Sequence, residues 1–301
     1  MKYSRRQFLG ITVAGVGTAM LSGCALRAGN HDPYEIVELG KTGIKTTRLC
    51  MGTGIKGGNR QSNLTRMGHD QAVKLIREMY ERGVRAFDLA EDYGTHACVG
   101  DALKIYPRNE YVIITKMAPR RRRPNDEGGE VPGKETEDRV LGFLKDLQSD
   151  YIDCLQFHGW NFSGNWNTDF SEYMTEMDKL KQKGTIRAHG ISSHSVDCIK
   201  TAIKESWVDA MHVRINPYGV NMDDTTENVE PLVKELHEGG KAVISMKVYG
   251  EGEFTDKEEM KDGSLHYVLQ SGIVDLLNIG MDKISDIEDN EIRIRKVPKL
   301  L

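Results

Sequence analysis

The alternation of short apolar runs with amphipathic segments between residues 48 and 281 constrains the fold of this 301-residue chain more than any other feature. Between the runs, apolar residues recur with the 3.6-residue period of a helix, as at Ala72, Leu75, Ile76 and Met79. The runs are apolar almost throughout, which is typical of parallel strands covered on both faces. The eight predicted strands are 48–53, 86–90, 111–117, 153–158, 186–192, 210–216, 242–248 and 275–281.

Eight strand–helix units in succession predict one α/β domain, a closed (β/α)8 TIM barrel, over residues 31–301. The alternative is an open, doubly wound sheet. An open sheet that binds a dinucleotide is expected to begin a helix directly after a glycine-rich turn that follows its first strand. No helix is predicted to begin directly after Gly52, Gly54 and Gly57. The sequence therefore favours the barrel.

Residues 1–30 differ from the rest of the chain. Ser4-Arg5-Arg6-Gln7-Phe8-Leu9-Gly10 resembles a twin-arginine secretion signal, and the apolar run after it is shorter than the roughly 20 residues of a membrane-spanning helix. Leu21-Ser22-Gly23-Cys24 resembles a lipoprotein cleavage box, in which the Cys24 thiol is acylated. We therefore expect an export signal and a tether, and a periplasmic protein or a lipoprotein anchored through Cys24. Simple cleavage and an ordinary leader with chance arginines are the alternatives.

The charge balance argues against nucleic acid as a partner. The chain has 41 Lys and Arg residues against 45 Asp and Glu residues, so no basic excess is left for a run of phosphates. The cysteines after residue 24 are far apart and include no Cys-x-x-Cys pair, so neither a disulfide framework nor a metal site is expected. These cysteines are Cys50, Cys98, Cys154 and Cys198.

Polar residues at the carboxyl ends of the predicted strands are the candidates for chemistry, because the active sites of such barrels lie there. Asp88, Lys116 and His158 stand at the ends of the second, third and fourth strands. Tyr93 follows Asp88 by five positions. Since neighbouring strands in a sheet lie about 5 Å apart, these four side chains are expected to converge.

If the four side chains converge, they are expected to act together in one catalytic step. Tyr93 is expected to donate a proton to a carbonyl oxygen, or to take one from an alcohol in the reverse direction. The Lys116 ammonium, held charged by Asp88, is expected to lower the pKa of the Tyr93 phenol from about 10. His158 is expected to orient and polarise the carbonyl. Taken singly, each residue has a purely structural interpretation. Lys116 would be a capping cation, Asp88 a loop partner, His158 a satisfied core histidine and Tyr93 part of the wall. The four together favour catalysis.

Several motifs resemble the aldo-keto reductase family between residues 38 and 290. The segment 87–94, Phe-Asp-Leu-Ala-Glu-Asp-Tyr-Gly, is similar to the family's Asp-Thr-Ala-x-x-Tyr-Gly element, and the segment 183–192 is similar to Gly-Lys-Ile-Arg-x-x-Gly-Val-Ser-Asn. The resemblance implies metal-free reduction of a small aldehyde or ketone, or the reverse reaction, with NADP or NAD as cofactor. The positions that fall on the family's catalytic tetrad are Asp88, Tyr93, Lys116 and His158.

The resemblance also places residues beside the nicotinamide. Gly52 and Thr53 stand where the family sets backbone against the ring, and Ser192 matches the serine that holds the carboxamide. His212 could equally be a buried strand histidine. The departures from the family are Ser193 in place of an asparagine, His212 in place of a glutamine and Met246 in place of a stacked aromatic residue.

The remaining cofactor positions lie near the end of the chain. Lys247, Gly250 and Gly252 resemble the loop that holds the pyrophosphate, where close backbone approach and one cation suit the charge, and the loop 247–254 is expected to close over it. Asp286 stands where arginine or glutamine is common; a carboxylate there repels a 2′-phosphate, so appreciable use of NADH is expected unless Lys283 compensates. The other matches on the adenosine side are Gly280, Met281, Glu288 and Asn290.

The substrate itself depends on the loops after the strands, which vary freely in this fold. Trp160 and Phe162, beyond His158, are candidate walls of the substrate pocket. The arginines at 120–123 form either a solvated charge run or a rim that attracts anionic substrates or covers the pocket.

Three functional interpretations remain open. The first is an exported NAD(P)H-dependent reductase with Tyr93 as acid and base. In the second, the exported enzyme keeps its cofactor bound and passes hydride between two sugars or alcohols, because free NAD(P)H is not expected to be regenerated outside the cytoplasm. The third is a non-catalytic regulatory module, as in potassium-channel beta subunits, against which the export signal argues.

Overall fold

Eight parallel strands close into a barrel in the computed structural model, which describes residues 29–119, 132–159, 162 and 164–300. The predicted barrel is confirmed, and the open sheet is wrong because the last strand pairs with the first through Gly280 and Gly52. Both ends of every strand lie within two residues of the predicted ends. A hairpin of β1 (Ile36–Glu38) and β2 (Lys45–Thr47) precedes the barrel strands β3 (Leu49–Gly52), β4 (Ala86–Asp88), β5 (Val112–Met117), β6 (Ile152–Gly159), β7 (Ile186–Ser193), β8 (Ala210–Arg214), β9 (Ala242–Met246) and β10 (Leu276–Gly280).

Helices cover the outer face of the barrel. The second helix buries the apolar stripe predicted from its period, including Leu75, Ile76 and Met79, and stops at Gly83, whose positive φ of 122° ends the helical turn. The described helices are α1 (Asn63–Arg66), α2 (His69–Arg82), α3 (His96–Leu103), α4 (Pro132–Leu147), α5 (Trp166–Asp169), α6 (Ser171–Gln182), α7 (Val196–Lys204), α8 (Thr226–Glu238), α9 (Glu258–Ser271) and α10 (Ile284–Ile294).

The interior of the barrel is layered. Near the amino ends of the strands it is filled by small or apolar side chains such as Cys50, Ala86, Ile114, Cys154 and Ala210. Because side chains alternate between the two faces of a strand, the residues two positions later also point inward, closer to the carboxyl ends. We call that carboxyl end the mouth of the barrel and the opposite end its floor.

The β1–β2 hairpin closes the floor, where Leu39 and Ile44 pack into the interior cluster. Its turn requires glycine: Gly40 has a φ of +49°, and a Cβ there would lie 2.4 Å from the backbone nitrogen of Ala242. The end of the expected tether also belongs to this face. The backbone nitrogen of His31 donates to the carbonyl oxygen of Val297 at 2.9 Å, so residue 31 is paired with the carboxyl-terminal segment.

Several predicted features lie outside the described residues. They are the export signal with Arg5 and Arg6, the acylation site Cys24, the arginines at 120–123 and the pocket residue Trp160. Within the described ranges, no helix combines the length and the apolar character needed to cross a bilayer.

Candidate active site

The four predicted catalytic residues meet at the mouth of the barrel. Asp88 ends β4, Lys116 and His158 lie near the ends of β5 and β6, and Tyr93 ends a 3-10 turn, Glu91–Tyr93, that follows β4. The Lys116 Nζ lies 5.5 Å from the centroid of the Tyr93 ring. The His158 imidazole meets the same ring edge-on, with 5.7 Å between the centroids.

Lys116 and Asp88 form a buried ion pair beneath Tyr93. The Lys116 side chain is 2% exposed, and its Nζ donates to Asp88 Oδ1 and, at 3.0 Å, to the carbonyl oxygen of Leu89. Burial acts to raise the pKa of the Asp88 carboxyl, but the Lys116 ammonium and the contact with His212 outweigh it and hold that pKa well below its usual range. Asp88 is therefore a carboxylate that fixes the ammonium in place.

The pKa of Tyr93 shifts in the direction opposite to the predicted one. Burial is the largest cause, and the negative charges of Asp88, Asp92 and Glu251 add to it, so the pKa lies well above its usual range. The predicted lowering by Lys116 is wrong as a net effect, because burial of the phenol raises its pKa and the Asp88 carboxylate bound to the ammonium adds to that rise. Tyr93 stays protonated at neutral pH, which suits a proton donor.

Two glycines allow the loop after β3 to lie flat against the Tyr93 ring. A Cβ on Gly54 would lie 2.4 Å from Tyr93 Cε2, and one on Gly57 would lie 2.6 Å from Cδ1. Gly94, directly after the turn, has a φ of +65° and lies against the backbone of Arg60. The phenol is therefore held from several sides by backbone.

His158 is neutral at physiological pH. Burial and, to a smaller extent, the Lys116 charge lower the pKa of its imidazole to about 3. A neutral imidazole can donate a hydrogen bond to a carbonyl oxygen without competing with Tyr93 for the transferred proton.

Three further polar side chains approach Asp88 from inside the barrel. The Asn278 Nδ2 donates to Asp88 Oδ2 at 2.8 Å, and the His212 Nε2 lies 3.2 Å from Asp88 Oδ1. Gln156 Oε1 lies 2.6 Å from His212 Nδ1. The sequence places His212 beside the cofactor, whereas here its fully buried ring contacts Asp88. Asn278 and Gln156 were not predicted from the sequence. Each lies two positions before a predicted site residue, Gly280 and His158, and therefore on the same inward face of its strand, which was a usable signal.

The predicted nicotinamide residues line the mouth on the side of β3 and β10. Gly52 and Gly280 are paired neighbours, so backbone rather than side chain faces the mouth there; a Cβ on Gly52 would lie 2.7 Å from Asn278 Oδ1. The Thr53 hydroxyl donates to the Asp88 carbonyl oxygen at 2.9 Å and so supports the site from beneath. Met281 is buried against the core.

The end of β7 suits a carboxamide. Ser192 and Ser193 are both buried, and the Ser193 hydroxyl has no hydrogen-bond partner among the described residues. A buried hydroxyl without a partner is costly unless a ligand satisfies it. Met246, at the end of β9, is half-buried, as a residue that contacts a flat ring would be.

The loop after β9 has the backbone of a phosphate cradle. Lys247, Gly250, Glu251 and Gly252 all have positive φ angles, between 57° and 98°. The Lys247 ammonium is paired with the Glu251 carboxylate, four residues later. Asn216 and Asn221 donate to the carbonyl oxygens of residues 247 and 250, at 3.2 and 2.9 Å, and tie the loop to the barrel.

On the adenosine side, Asp286 caps α10. Its Oδ2 accepts hydrogen bonds from the backbone nitrogens of Asp282 at 2.9 Å and Lys283 at 3.2 Å. Asn290 donates to the Asp286 carbonyl oxygen at 2.7 Å and accepts from the Tyr249 hydroxyl at 2.6 Å, which links α10 to the cradle loop.

Two other predicted residues have partners in neighbouring segments. Glu288 is exposed and pairs with Arg82 of α2 at 2.8 Å, so it faces a neighbouring helix. The Phe162 ring packs against Gly159 and against Phe170, with 5.0 Å between the two ring centroids. Among the described residues, no group of three His, Cys, Asp or Glu side chains is arranged to hold a metal ion.

One cation at the mouth was not predicted. Arg214, the last residue of β8, shares the inward face with His212 and binds the buried carboxylate of Asp223. Burial first, and then the charges of Arg214 and Lys247, lower the pKa of His194 to about 4. The alternation along β8 was the signal that would have found Arg214.

The sequence profile of the Aldo/keto reductase family matches residues 48–277. The chain belongs to this family. As an aldo-keto reductase it is an oxidoreductase, and NAD(P)H is the hydride carrier that the family uses in general.

Several relatives align with much of the sequence of this aldo-keto reductase. The chain is 26% identical over 300 residues to L-galactose dehydrogenase of Arabidopsis thaliana, covering 88% of this chain and 90% of that protein. It is also 26% identical to the NADH-specific methylglyoxal reductase of Escherichia coli (strain K12), over 66% of this chain and 63% of that one. Among solved structures, the holo form of an aldo-keto reductase from Bacillus halodurans is similar with a TM-score of 0.68, at 21% identity, over 89% of this chain and 93% of that one, which shows the shared fold.

Proposed function

We propose that this protein reduces an aldehyde or ketone to an alcohol with NAD(P)H, or catalyses the reverse reaction, with Tyr93 as the general acid and base. The observation that carries the proposal is the convergence of the Tyr93 phenol, the neutral His158 imidazole and the buried Lys116–Asp88 pair at one end of the barrel. Small carbonyl compounds are the substrate class that the names of the relatives suggest.

Each side chain has a distinct task in this proposal. Tyr93, protonated at neutral pH, donates its proton to the carbonyl oxygen as that oxygen gains negative charge. His158 donates a hydrogen bond to the same oxygen and orients it. The Lys116 ammonium, 5.5 Å from the Tyr93 ring centroid, stabilises the phenolate left after the transfer.

The residues at the mouth fit a nicotinamide dinucleotide. The Ser192–Ser193 end of β7 would hold the carboxamide, Met246 would contact the ring, and Lys247 with the cradle loop would hold the pyrophosphate. The bound nicotinamide supplies the hydride. Asp286 and Asn290 would lie on the adenosine side, where the capping carboxylate favours NAD over NADP.

Steady-state kinetics with a panel of small aldehydes, ketones and sugars, with NADH and with NADPH, test the proposal. Replacing Tyr93 with Phe should lower kcat by roughly 10² to 10⁴, the range usual for a positioned acid, while the Kd of the cofactor stays near that of the wild type. Tyr106→Phe is the matched control, because the Tyr106 hydroxyl binds Glu81 on the outer face. Full activity in the Tyr93 variant would remove Tyr93 from the mechanism, whereas cofactor binding without any turnover would favour a regulatory module.

We propose further that the protein is exported in folded form with its cofactor bound. Arg5-Arg6 and the Cys24 box support export and a lipid anchor. Cofactor retention is supported by the cradle loop, which Asn216 and Asn221 tie to the barrel and whose Phe254 side chain is fully buried. A tightly held cofactor would let the enzyme pass hydride between two sugars or alcohols outside the cytoplasm.

Cell fractionation and cofactor analysis test this second proposal separately. Arg5→Lys combined with Arg6→Lys should leave the protein in the cytoplasm, and Cys24→Ser should release it from the membrane fraction. Protein purified from its native compartment and then denatured should release near-stoichiometric NAD(P). An empty protein whose activity depends strictly on added NAD(P)H would refute cofactor carriage.

A further inference from the structure

A chain of buried polar groups runs across the barrel interior beneath Tyr93. It starts at Gln156 of β6, passes through His212 of β8 and ends at the Asp88 carboxylate of β4. Both Gln156 and His212 are fully buried. The proposed reaction uses neither Gln156 nor His212. Among the described residues, the chain that they form leads to the Asp88 carboxylate.

The position of one proton decides what this chain does. Burial is the main cause that lowers the pKa of His212, so its imidazole is neutral and carries a single N–H. With Gln156 Oε1 facing His212 Nδ1, that proton must lie on Nδ1. The Nε2 lone pair then faces Asp88 Oδ1 at 3.2 Å, and the Gln156 amide nitrogen faces only the Cys154 thiol, a weak acceptor. This arrangement opposes two acceptors and leaves a buried donor without a strong partner.

A half-turn of the Gln156 amide removes both faults without moving the heavy atoms of any other residue. Its NH2 group then donates to His212 Nδ1, the imidazole proton moves to Nε2, and Nε2–H donates to Asp88 Oδ1. The amide oxygen turns toward Cys154, two residues earlier on the same strand, whose thiol interacts with the Gln156 side chain. Every polar group in the chain then has a partner of the right kind.

We propose that His212, with its proton on Nε2, is a positioning residue for Asp88 and, through Asp88, for the Lys116 ammonium. Two groups then donate to Asp88 Oδ1, and Asn278 donates to Oδ2, so the carboxylate cannot rotate. The inference rests on the proposed function, since it matters only if Lys116 acts on Tyr93.

The fixed carboxylate in turn fixes the direction of the Lys116 donors. Of the three Nζ hydrogens, one goes to Asp88 and one to the Leu89 carbonyl oxygen, which leaves the third for the side on which Tyr93 lies. If Asp88 rotates, Lys116 follows it, and the charge that stabilises the Tyr93 phenolate moves away.

Two substitutions at position 212 separate positioning from simple packing. His212→Leu fills the space but has no donor, so kcat should fall by about 10-fold or more, as expected when a buried charged group loses a hydrogen bond. His212→Gln keeps an acceptor for Gln156 and a donor for Asp88, and should restore most of kcat. Equal kcat in the two variants, with both folded by circular dichroism, would overturn the proposal.

The tautomer can be measured directly by nitrogen-15 NMR of the histidine-labelled protein, with His212→Gln used to assign the signals. The expected spectrum has the proton of His212 on Nε2, and a proton on Nδ1 would overturn the proposal. This measurement needs no turnover. A wild type that reduces no carbonyl compound would therefore defeat the proposed function while the tautomer still decides the hydrogen-bond chain.

Discussion

At the residue scale, the proposed chemistry depends on how tightly Tyr93 is held. Its ring is confined by the backbone of Gly54 and Gly57 on one side and by His158 on another. The same confinement removes water from the phenol, which is why burial dominates its pKa. Position and proton affinity are therefore set by the same contacts.

A methyl group at position 54 should disturb this arrangement selectively. The Cβ of Gly54→Ala would lie 2.4 Å from the Tyr93 ring, so the ring must shift, and a shift of that size can cost about 100-fold in kcat. Gly142→Ala in α4 is the control, because a Cβ there meets nothing within 4 Å. We expect kcat to fall only in the first variant, as measured by steady-state kinetics. Equal kcat in both would show that Tyr93 tolerates displacement.

The sequence predicted which four side chains converge at the mouth, but not the electrostatics of that group. Asp88, Lys116 and His158 were recognisable because a polar residue at the end of an apolar strand is conspicuous. The direction in which the pKa of Tyr93 shifts could not be read from the sequence. It depends on burial of the ring by the loop that contains Gly54 and Gly57, which lies in an earlier part of the chain. The partner of His212 also depends on rotamers that no local pattern encodes.

At the element scale, the N-terminus of α10 is the part of the fold that we expect to influence cofactor choice. Asp286 already satisfies two backbone donors there, and its charge opposes a second anion. Asp286→Asn keeps a capping side chain but removes the charge, so kcat/KM with NADPH should rise relative to NADH. Glu288→Gln, on the same helix but paired with Arg82, should leave the ratio unchanged. An unchanged ratio in the Asp286 variant would show that its carboxylate faces away from the cofactor.

In the cradle loop after β9, the cation proposed to bind the cofactor already has an anionic partner. The Glu251 carboxylate pairs with Lys247, the cation expected to meet the pyrophosphate. Glu251→Gln should free Lys247 and lower the Kd of NAD(P) by up to about 5-fold, the scale of an exposed ion pair. Titration by protein fluorescence measures this, with Glu253→Gln, also exposed, as the control. A Kd equal to the wild type would mean that Lys247 plays no part in binding.

The elements themselves were predictable to different degrees. All eight barrel strands appear where apolar runs predicted them, because a strand covered on both faces has a strong signal. The β1–β2 hairpin was missed, since its strands have three residues each and contain Lys45 and Glu38. Its place at the floor follows from contacts with distant strands, which sequence does not display.

At the scale of the whole molecule, neutral buried histidines make the fold sensitive to acid. Burial is the largest cause that lowers the pKa of His96 and His194 to about 4 and of His158 to about 3, from an ordinary value of 6.5. Below pH 6.5 the unfolded chain therefore binds more protons than the folded one, and stability falls as the pH drops toward 4. Each such group contributes up to about 1.4 kcal/mol per pH unit.

Urea unfolding between pH 6.5 and 4.5 measures this slope before most carboxylates begin to titrate. His96→Gln keeps a partner for the Thr115 hydroxyl, so the free energy of unfolding of this variant should depend less steeply on pH. His237, whose pKa is raised by the hydrogen bond that it donates to Asp275, acts in the opposite direction and serves as the control position. The same slope in the His96 variant and the wild type would exclude His96 as a source of acid sensitivity.

The pairing of residues 29–31 with residues 297–299 places the start of the described chain at the floor, opposite the mouth. An extended chain spans about 3.5 Å per residue, so an anchor at Cys24 would lie within roughly 18 Å of that face. A lipid on Cys24 would therefore turn the floor toward the bilayer and leave the mouth open to the surrounding solution. Water-borne molecules would reach Tyr93 by free diffusion, whereas a molecule dissolved in the membrane would first have to leave it and pass around the whole barrel.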